Sequence, residues 1–138
     1  LENKSGKIMI ISSVASFAPP STIQVLYGPL KTFMNRFSDA LNVNYKHKGI
    51  SSTAVCPGYV VTEFHSSSGV QDAMDRVPAF MKLDAKDVAA EAVEATLNSK
   101  SYCVPSKRYK VLVFLIKHAS FVIRLLSNTL SGGRYAKK

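Results

Sequence analysis

Residues 100–138 contain no aspartate or glutamate. They hold nine basic side chains, Lys100, Lys107, Arg108, Lys110, Lys117, Arg124, Arg134, Lys137 and Lys138, whereas residues 1–99 balance nine basic residues with nine acidic ones. The whole formal charge of +9 therefore falls in the tail. Such a tail suits a phosphate-bearing partner, either a membrane surface or a nucleic acid, and equally a solvated, solubilising role. Cysteine is scarce. Cys56 and Cys103 alone exclude a disulfide framework, and both lie in apolar runs, which points to buried free thiols in a reducing, cytoplasmic compartment. No charge-free run in the tail approaches the roughly 20 residues that a membrane span needs. The start, "LENKSGKIMI", has no apolar run of signal-peptide length after its charges, and a chain beginning at Leu1 reads as a fragment or a processed piece. Internal repeats and low-complexity blocks are missing too. What is present, 138 residues at 46% apolar and 20% charged, suits one globular domain.

"KIMIIS", Lys7 to Ser12, reads as a strand buried on both faces, and it runs into the Ser/Ala/Pro segment "SSVASFAPPST". Leu30 to Tyr45 reads as a helix, with Leu30, Phe33, Met34, Phe37 and Leu41 as one apolar stripe and "KHKG" as its end. "ISSTAVCPG", Ile50 to Gly58, is a second strand, so the three elements make a βαβ unit. Thr62 to Leu83 has no steady period and reads as a loop with short helical turns. Asp84 to Leu97 is a helix capped by Asp84 or Asp87, with Val88, Ala89, Ala92, Val93 and Leu97 inward. Ser101 to Pro105 is a short third strand. In Tyr109 to Leu130, Lys110, Lys117 and Arg124 recur every seven residues and line one face of an amphipathic helix. That helix is suited to a membrane interface, to covering a substrate cleft, or to packing on a twin subunit.

"YGPLK" places Tyr27 and Lys31 one helical turn apart. A phenol is a weak acid, and a cation beside it favours the phenolate. Such a tyrosine can exchange a proton with a substrate oxygen near neutral pH, which is what a carbonyl accepting hydride requires. A hydroxyl donor to the same oxygen should come from the end of the preceding strand, where Ser12, Ser13 and Ser16 stand.

"GKIMIISS", "YGPLK" and "ISSTAVCPGYVVTEF", in that order, resemble the C-terminal half of a short-chain dehydrogenase/reductase. The resemblance covers nearly the whole chain. "VPAFMKLDAKDVAAEAV" and "YCVPSKRYKVLV" resemble a bacterial branch with a basic, apolar C-terminal extension. The resemblance implies an α/β fold, the C-terminal half of a Rossmann-type doubly wound parallel sheet (residues 1–105), followed by a basic amphipathic extension (106–138). It implies Tyr27 as general acid/base, Lys31 as its activator and ribose ligand, and Ser13, with Ser12 as the fallback, as the serine that polarises the substrate. It further implies that Pro57, Gly58 and Val60 lie along the nicotinamide of NAD or NADP, that Thr62 contacts the cofactor, and that residues 63–83 form a substrate lid.

Two departures stand out. Pro29 and Leu30 replace the small residues usual after the tyrosine, which puts the Tyr27–Lys31 geometry in question. No G-x-x-x-G-x-G occurs, nor the asparagine that completes the family's proton relay, so the choice between NAD and NADP is not readable. The expected activity is interconversion of a carbonyl and a secondary alcohol on a hydrophobic substrate, in a protein that is a homo-oligomer at full length. Two rivals remain: a non-catalytic module acting at a membrane surface or subunit interface, the former peripheral to the inner membrane face, and a pseudoenzyme spoiled by Pro29. His47, His65 and His118 are too scattered to pair with the cysteines as metal ligands. Cys56 reads as core. Tyr102 and Tyr109 among basic residues read as a strand edge and helix start rather than a nucleic-acid platform.

Overall fold

The computed structural model describes residues 5–19, 25–62 and 77–130, with side chains through His118. In chain order the elements are β1 (Gly6–Ile11), a 3-10 turn (Val14–Phe17), α1 (Tyr27–Tyr45), a second 3-10 turn (Lys46–Lys48), β2 (Ile50–Val55) and β3 (Tyr59–Val61). A third 3-10 turn (Ala79–Met81) leads into β4 (Lys82–Asp84), α2 (Ala85–Leu97), β5 (Tyr102–Cys103) and α3 (Lys107–Leu130). Most of the expected lid, residues 63–76, lies outside the described residues.

β1, β2 and β5 form a parallel sheet with β2 in the middle, the α/β architecture expected. Its register runs from Gly6 opposite Ile50 to Ile11 opposite Val55, and Ala54 and Val55 face Tyr102 and Cys103. Parallel neighbours need a long crossover, and α1 supplies it between β1 and β2. The crossover ends where Gly49 adopts a left-handed φ of 85°, which a glycine reaches without a Cβ clash. β3 and β4 pair in parallel as a separate two-stranded ribbon, β3 just before the stretch 62–83 that reads from sequence as loop and β4 at its end.

Side chains along β2 alternate between the two helices. Val55 joins Ala92, Ala95 and Cys103 in a small apolar cluster against α2. On the other face Ser52 shares a 2.8 Å hydrogen bond with Ser38 of α1. Asn42 donates to the Ser52 carbonyl at 2.7 Å and accepts the Ser52 N–H at 2.8 Å, so its amide stands in for a neighbouring strand. The α1–sheet contact is therefore polar, and every buried side-chain N or O among the described residues has a hydrogen-bond partner.

The apolar stripe of α1 is not the face that it turns to the sheet. Asn35 and Ser38 are its buried residues, while Leu30, Phe33 and Phe37 are exposed, Phe33 and Phe37 stacking at 6.2 Å. The physical reason is the partner: β2 offers serines and a backbone in need of bonds, so the polar face of α1 turns inward. α2 departs similarly. Ala92, Ala95 and Thr96 are buried, whereas Ala89, Val93 and Leu97 are exposed, because only small side chains fit close to the sheet. Asp84 caps α2 as one of the two candidates, accepting from the N–H groups of Lys86 and Asp87. β1 is not buried on both faces. Among the described residues it is an edge strand with alternating exposure, Met9 and Ile11 open to solvent.

Candidate active site

The helix α1 begins at Tyr27 itself, and Leu30 N–H makes the first backbone bond back to Leu26 at 2.9 Å. Pro29 thus sits in the first turn, where N–H groups have no helical acceptor and a missing one costs nothing. Tyr27 and Lys31 share a side of the helix: the Lys31 ammonium lies 5.6 Å from the centre of the Tyr27 ring. Tyr27 remains 40% exposed. Lys31 Nζ is anchored on the Ile11 carbonyl at 3.0 Å, the last residue of β1. A second, weaker contact reaches the Met34 sulfur at 3.7 Å, and an ammonium has three donors, so one is left to meet a ligand.

The serine loop is stitched to α1 at several points. Ser12 Oγ donates to the Lys31 carbonyl at 2.9 Å, and Thr32 Oγ1 donates to the Ser16 carbonyl at 3.0 Å. Ser13, extended at φ −164°, caps the 3-10 turn, its hydroxyl accepting the Ala15 N–H at 3.2 Å. The next backbone amide, Val14 N–H, donates to the Pro57 carbonyl at 3.0 Å. One edge therefore brings Ser13, Lys31 and Pro57 together, at the carboxyl ends of β1 and β2 where parallel sheets bind ligands.

Two residues of this edge escaped the sequence reading. Asn35, buried one turn beyond Lys31, donates from Nδ2 to Ser16 Oγ at 2.7 Å and accepts the Cys56 thiol at 3.5 Å. Ser16 in turn donates to the Ser13 carbonyl at 2.6 Å, so Asn35 holds the serine loop through one intermediary. The signal was a polar spacing, Lys31, Asn35, Ser38, Asn42, hidden beside the more conspicuous apolar one. Burial pushes the Cys56 thiol up, despite bonds to Ser12, Ser16 and Asn35 that favour the thiolate, which fits a packing role. The second residue is Tyr109, whose ring packs against Gly58.

Pro57 and Gly58 are half-buried, Val60 is half-buried on β3, and Thr62 is exposed. Neither of two cavities elsewhere, one of about 400 Å³ between β4, α2 and α3 and one of about 340 Å³ beside Phe17, Asn35 and Tyr102, is lined by Tyr27, Lys31 or Ser13. Among the described residues no group of three or more metal-ligating side chains converges.

Two members of the basic line of α3, Lys110 and Lys117, are engaged, and the Arg124 side chain lies outside the described ones. Lys110 pairs with Glu91 at 3.2 Å, and Lys117 lies over the Phe17 ring at 4.4 Å and the Tyr102 ring at 5.8 Å. Val111, Phe114 and Leu115 are left exposed. Among the described residues no helix is long and apolar enough to cross a membrane.

Residues 1–73 match the family model for short chain dehydrogenases. The chain is 33% identical over 131 residues to a very-long-chain 3-oxoacyl-CoA reductase of Anas platyrhynchos, covering 94% of this chain and 39% of that protein. Among solved structures it is similar to a short-chain dehydrogenase from Sphingobium yanoikuyae in complex with NADPH, at a TM-score of 0.68 and 21% identity, covering 99% of this chain and 49% of that one. A short-chain dehydrogenase/reductase from Burkholderia phymatum in complex with NAD gives 0.66 at 19% identity, covering 89% and 50%. The chain thus spans half or less of the length of these proteins, and the structural likeness is one of fold. With over half of its residues inside the family model, the chain belongs to the short-chain dehydrogenase/reductase family.

Proposed function

We propose that this chain carries the catalytic residues of an NAD(P)-dependent oxidoreductase that interconverts a carbonyl and a secondary alcohol. The observation that carries the reading is the Lys31 ammonium held 5.6 Å from the Tyr27 ring and pinned to Ile11. Tyr27 exchanges a proton with the substrate oxygen through its accessible hydroxyl. Lys31 holds its ammonium beside the Tyr27 ring and offers a donor to the ribose of the cofactor. Ser13 supports the substrate oxygen. Its hydroxyl only accepts from the protein, whereas the Ser12 proton is committed to the Lys31 carbonyl, which favours Ser13 of the two. The dinucleotide, NAD or NADP, supplies the hydride. Pro57, Gly58, Val60 and Thr62 line the nicotinamide, while residues for the pyrophosphate belong to a glycine-rich turn that this sequence does not contain. A shared face for Tyr27 and Lys31 argues against a pseudoenzyme spoiled by Pro29.

The substrate is hydrophobic, with a long acyl chain the leading class, in keeping with the name of the duck relative. The test is NAD(P)H oxidation by the chain extended on its N-terminal side to the relatives' length, against 3-oxoacyl thioesters of increasing chain length. Turnover rising with chain length supports the reading. No turnover of any carbonyl with either cofactor would sink it.

A second reading concerns α3. Val111, Phe114 and Leu115 face outward from a segment without acidic residues, a pattern suited to the interface of an anionic membrane. Co-sedimentation with anionic liposomes should fall when residues 106–138 are removed; equal binding by both forms counts against it. The exposed Leu30, Phe33 and Phe37 of α1 form a surface suited to a second subunit.

A further inference from the structure

Gly58 has no room for a side chain. A Cβ built there would lie 2.0 to 2.3 Å from three atoms of the Tyr109 ring, so that ring rests flat against the Gly58 backbone. Tyr109 is 1% exposed and is the largest fully buried side chain among the described residues. Its hydroxyl is saturated: it accepts the Tyr59 N–H at 3.1 Å and donates to the Met81 carbonyl at 2.7 Å. Its neighbour Arg108 donates to the Phe80 carbonyl. The first turn of α3 therefore grips two segments at once, the Pro57–Thr62 strip and the turn that enters β4.

We infer that Tyr109 is a positioning residue for the cofactor strip, fixing Gly58 and Tyr59 against the base of the segment that precedes β4. The inference rests on the proposed function, because it assumes that the strip meets the nicotinamide. The ring sets the depth of Gly58, and the hydroxyl sets the direction of the Tyr59 amide. Because the same hydroxyl holds Met81, any movement of the 77–81 turn is transmitted to the strip. In this site the glycine after Pro57 is required by Tyr109 behind it, whatever lies in front.

Tyr109→Phe keeps the ring under Gly58 and removes only the hydroxyl. Amide hydrogen exchange at Tyr59 in the chain is expected to accelerate at least about tenfold, since that N–H loses its buried acceptor. In the protein extended to the relatives' length, the variant is expected to bind the dinucleotide about tenfold more weakly by fluorescence titration, with kcat at saturating cofactor within about twofold of the parent. Tyr102→Phe, which removes another half-buried tyrosine hydroxyl bonded to Asp39 at 2.8 Å, serves as the control and should leave the dinucleotide Kd unchanged. Unaltered exchange at Tyr59 overturns the inference, and so does unaltered dinucleotide affinity beside a binding-competent parent. Equal weakening by Tyr102→Phe also overturns it, since the effect would then be general destabilisation. A parent that binds no dinucleotide overturns the functional reading and this inference with it.

Discussion

Asn42 of α1 and Ser52 of β2 exchange two hydrogen bonds, a side-chain amide paired with a strand backbone as another strand would be. β5 pairs only with Ala54 and Val55, so the earlier part of β2 has no strand on that side, and Asn42 fills the gap. Asn42→Ala should leave a buried N–H and carbonyl unpaired and cost about 2 kcal/mol. Asn44→Ala, which loses an exposed bond to the Ala40 carbonyl, should cost less than about 0.5 kcal/mol. Urea unfolding of the two variants makes the comparison, and equal losses would show that the Asn42 bonds are not worth more than surface ones.

Asn35 links Cys56 to Ser16 and, through Ser16, to the Ser13 carbonyl. Asn35→Ala in the extended protein is therefore expected to lower kcat/KM by about tenfold, through a misplaced Ser13. Its effect should be small on top of Ser13→Ala, because both act on one hydroxyl. Fully additive losses in the double variant would contradict that route.

Glu91 fastens α2 to the start of α3, accepting the Ser106 N–H at 3.0 Å and pairing with Lys110. Burial pushes the Glu91 carboxyl up, but the Ser106 N–H and the Lys110 ammonium more than offset it and hold the group below its ordinary value. A carboxyl lowered on folding adds stability above its unfolded pKa and loses it as pH falls through the folded one. The stability difference between the parent and Glu91→Gln should thus be largest near neutrality and shrink below about pH 4. Thermal melts across that range test it, and a constant difference would contradict the linkage.

Ser106 adopts φ 72°, a left-handed conformation in a residue with a Cβ. Ser106→Gly removes that clash while keeping the backbone N–H that Glu91 needs. Glycine also makes the unfolded chain more flexible, so the net gain should be about 0.5 kcal/mol. A melting temperature equal to or below the parent's would contradict it.

The order of β1, α1, β2, α2, β5 and α3 was legible because Gly49, Pro57 and Asp84 mark ends that the backbone obeys, whereas the short strands β3 and β4 were not. The Tyr27–Lys31 pairing was not legible in spacing alone, because Pro29 left the start of the helix open; α1 begins at Tyr27, which is what lets Pro29 coexist with the pair. What misled was the inward face of α1. Leu30, Phe33 and Phe37 make the stronger apolar stripe, yet Ser52, the β2 serine that faces α1, is buried and needs polar partners for its hydroxyl and its backbone. Reading the helix beside the strand it must cover, rather than alone, would have selected Asn35, Ser38 and Asn42. Nothing in the sequence marked Tyr109, since its partners Gly58, Tyr59 and Met81 are distant in the chain and two of its bonds are to backbone.

Tyr27→Phe removes one oxygen and keeps the ring beneath the Lys31 ammonium. In the extended protein, with cofactor binding followed separately by titration, turnover is expected to fall by at least about 10²-fold while dinucleotide affinity stays within about threefold. Turnover equal to the parent's, on every carbonyl that the parent accepts, would contradict the assignment of Tyr27 as the acid/base.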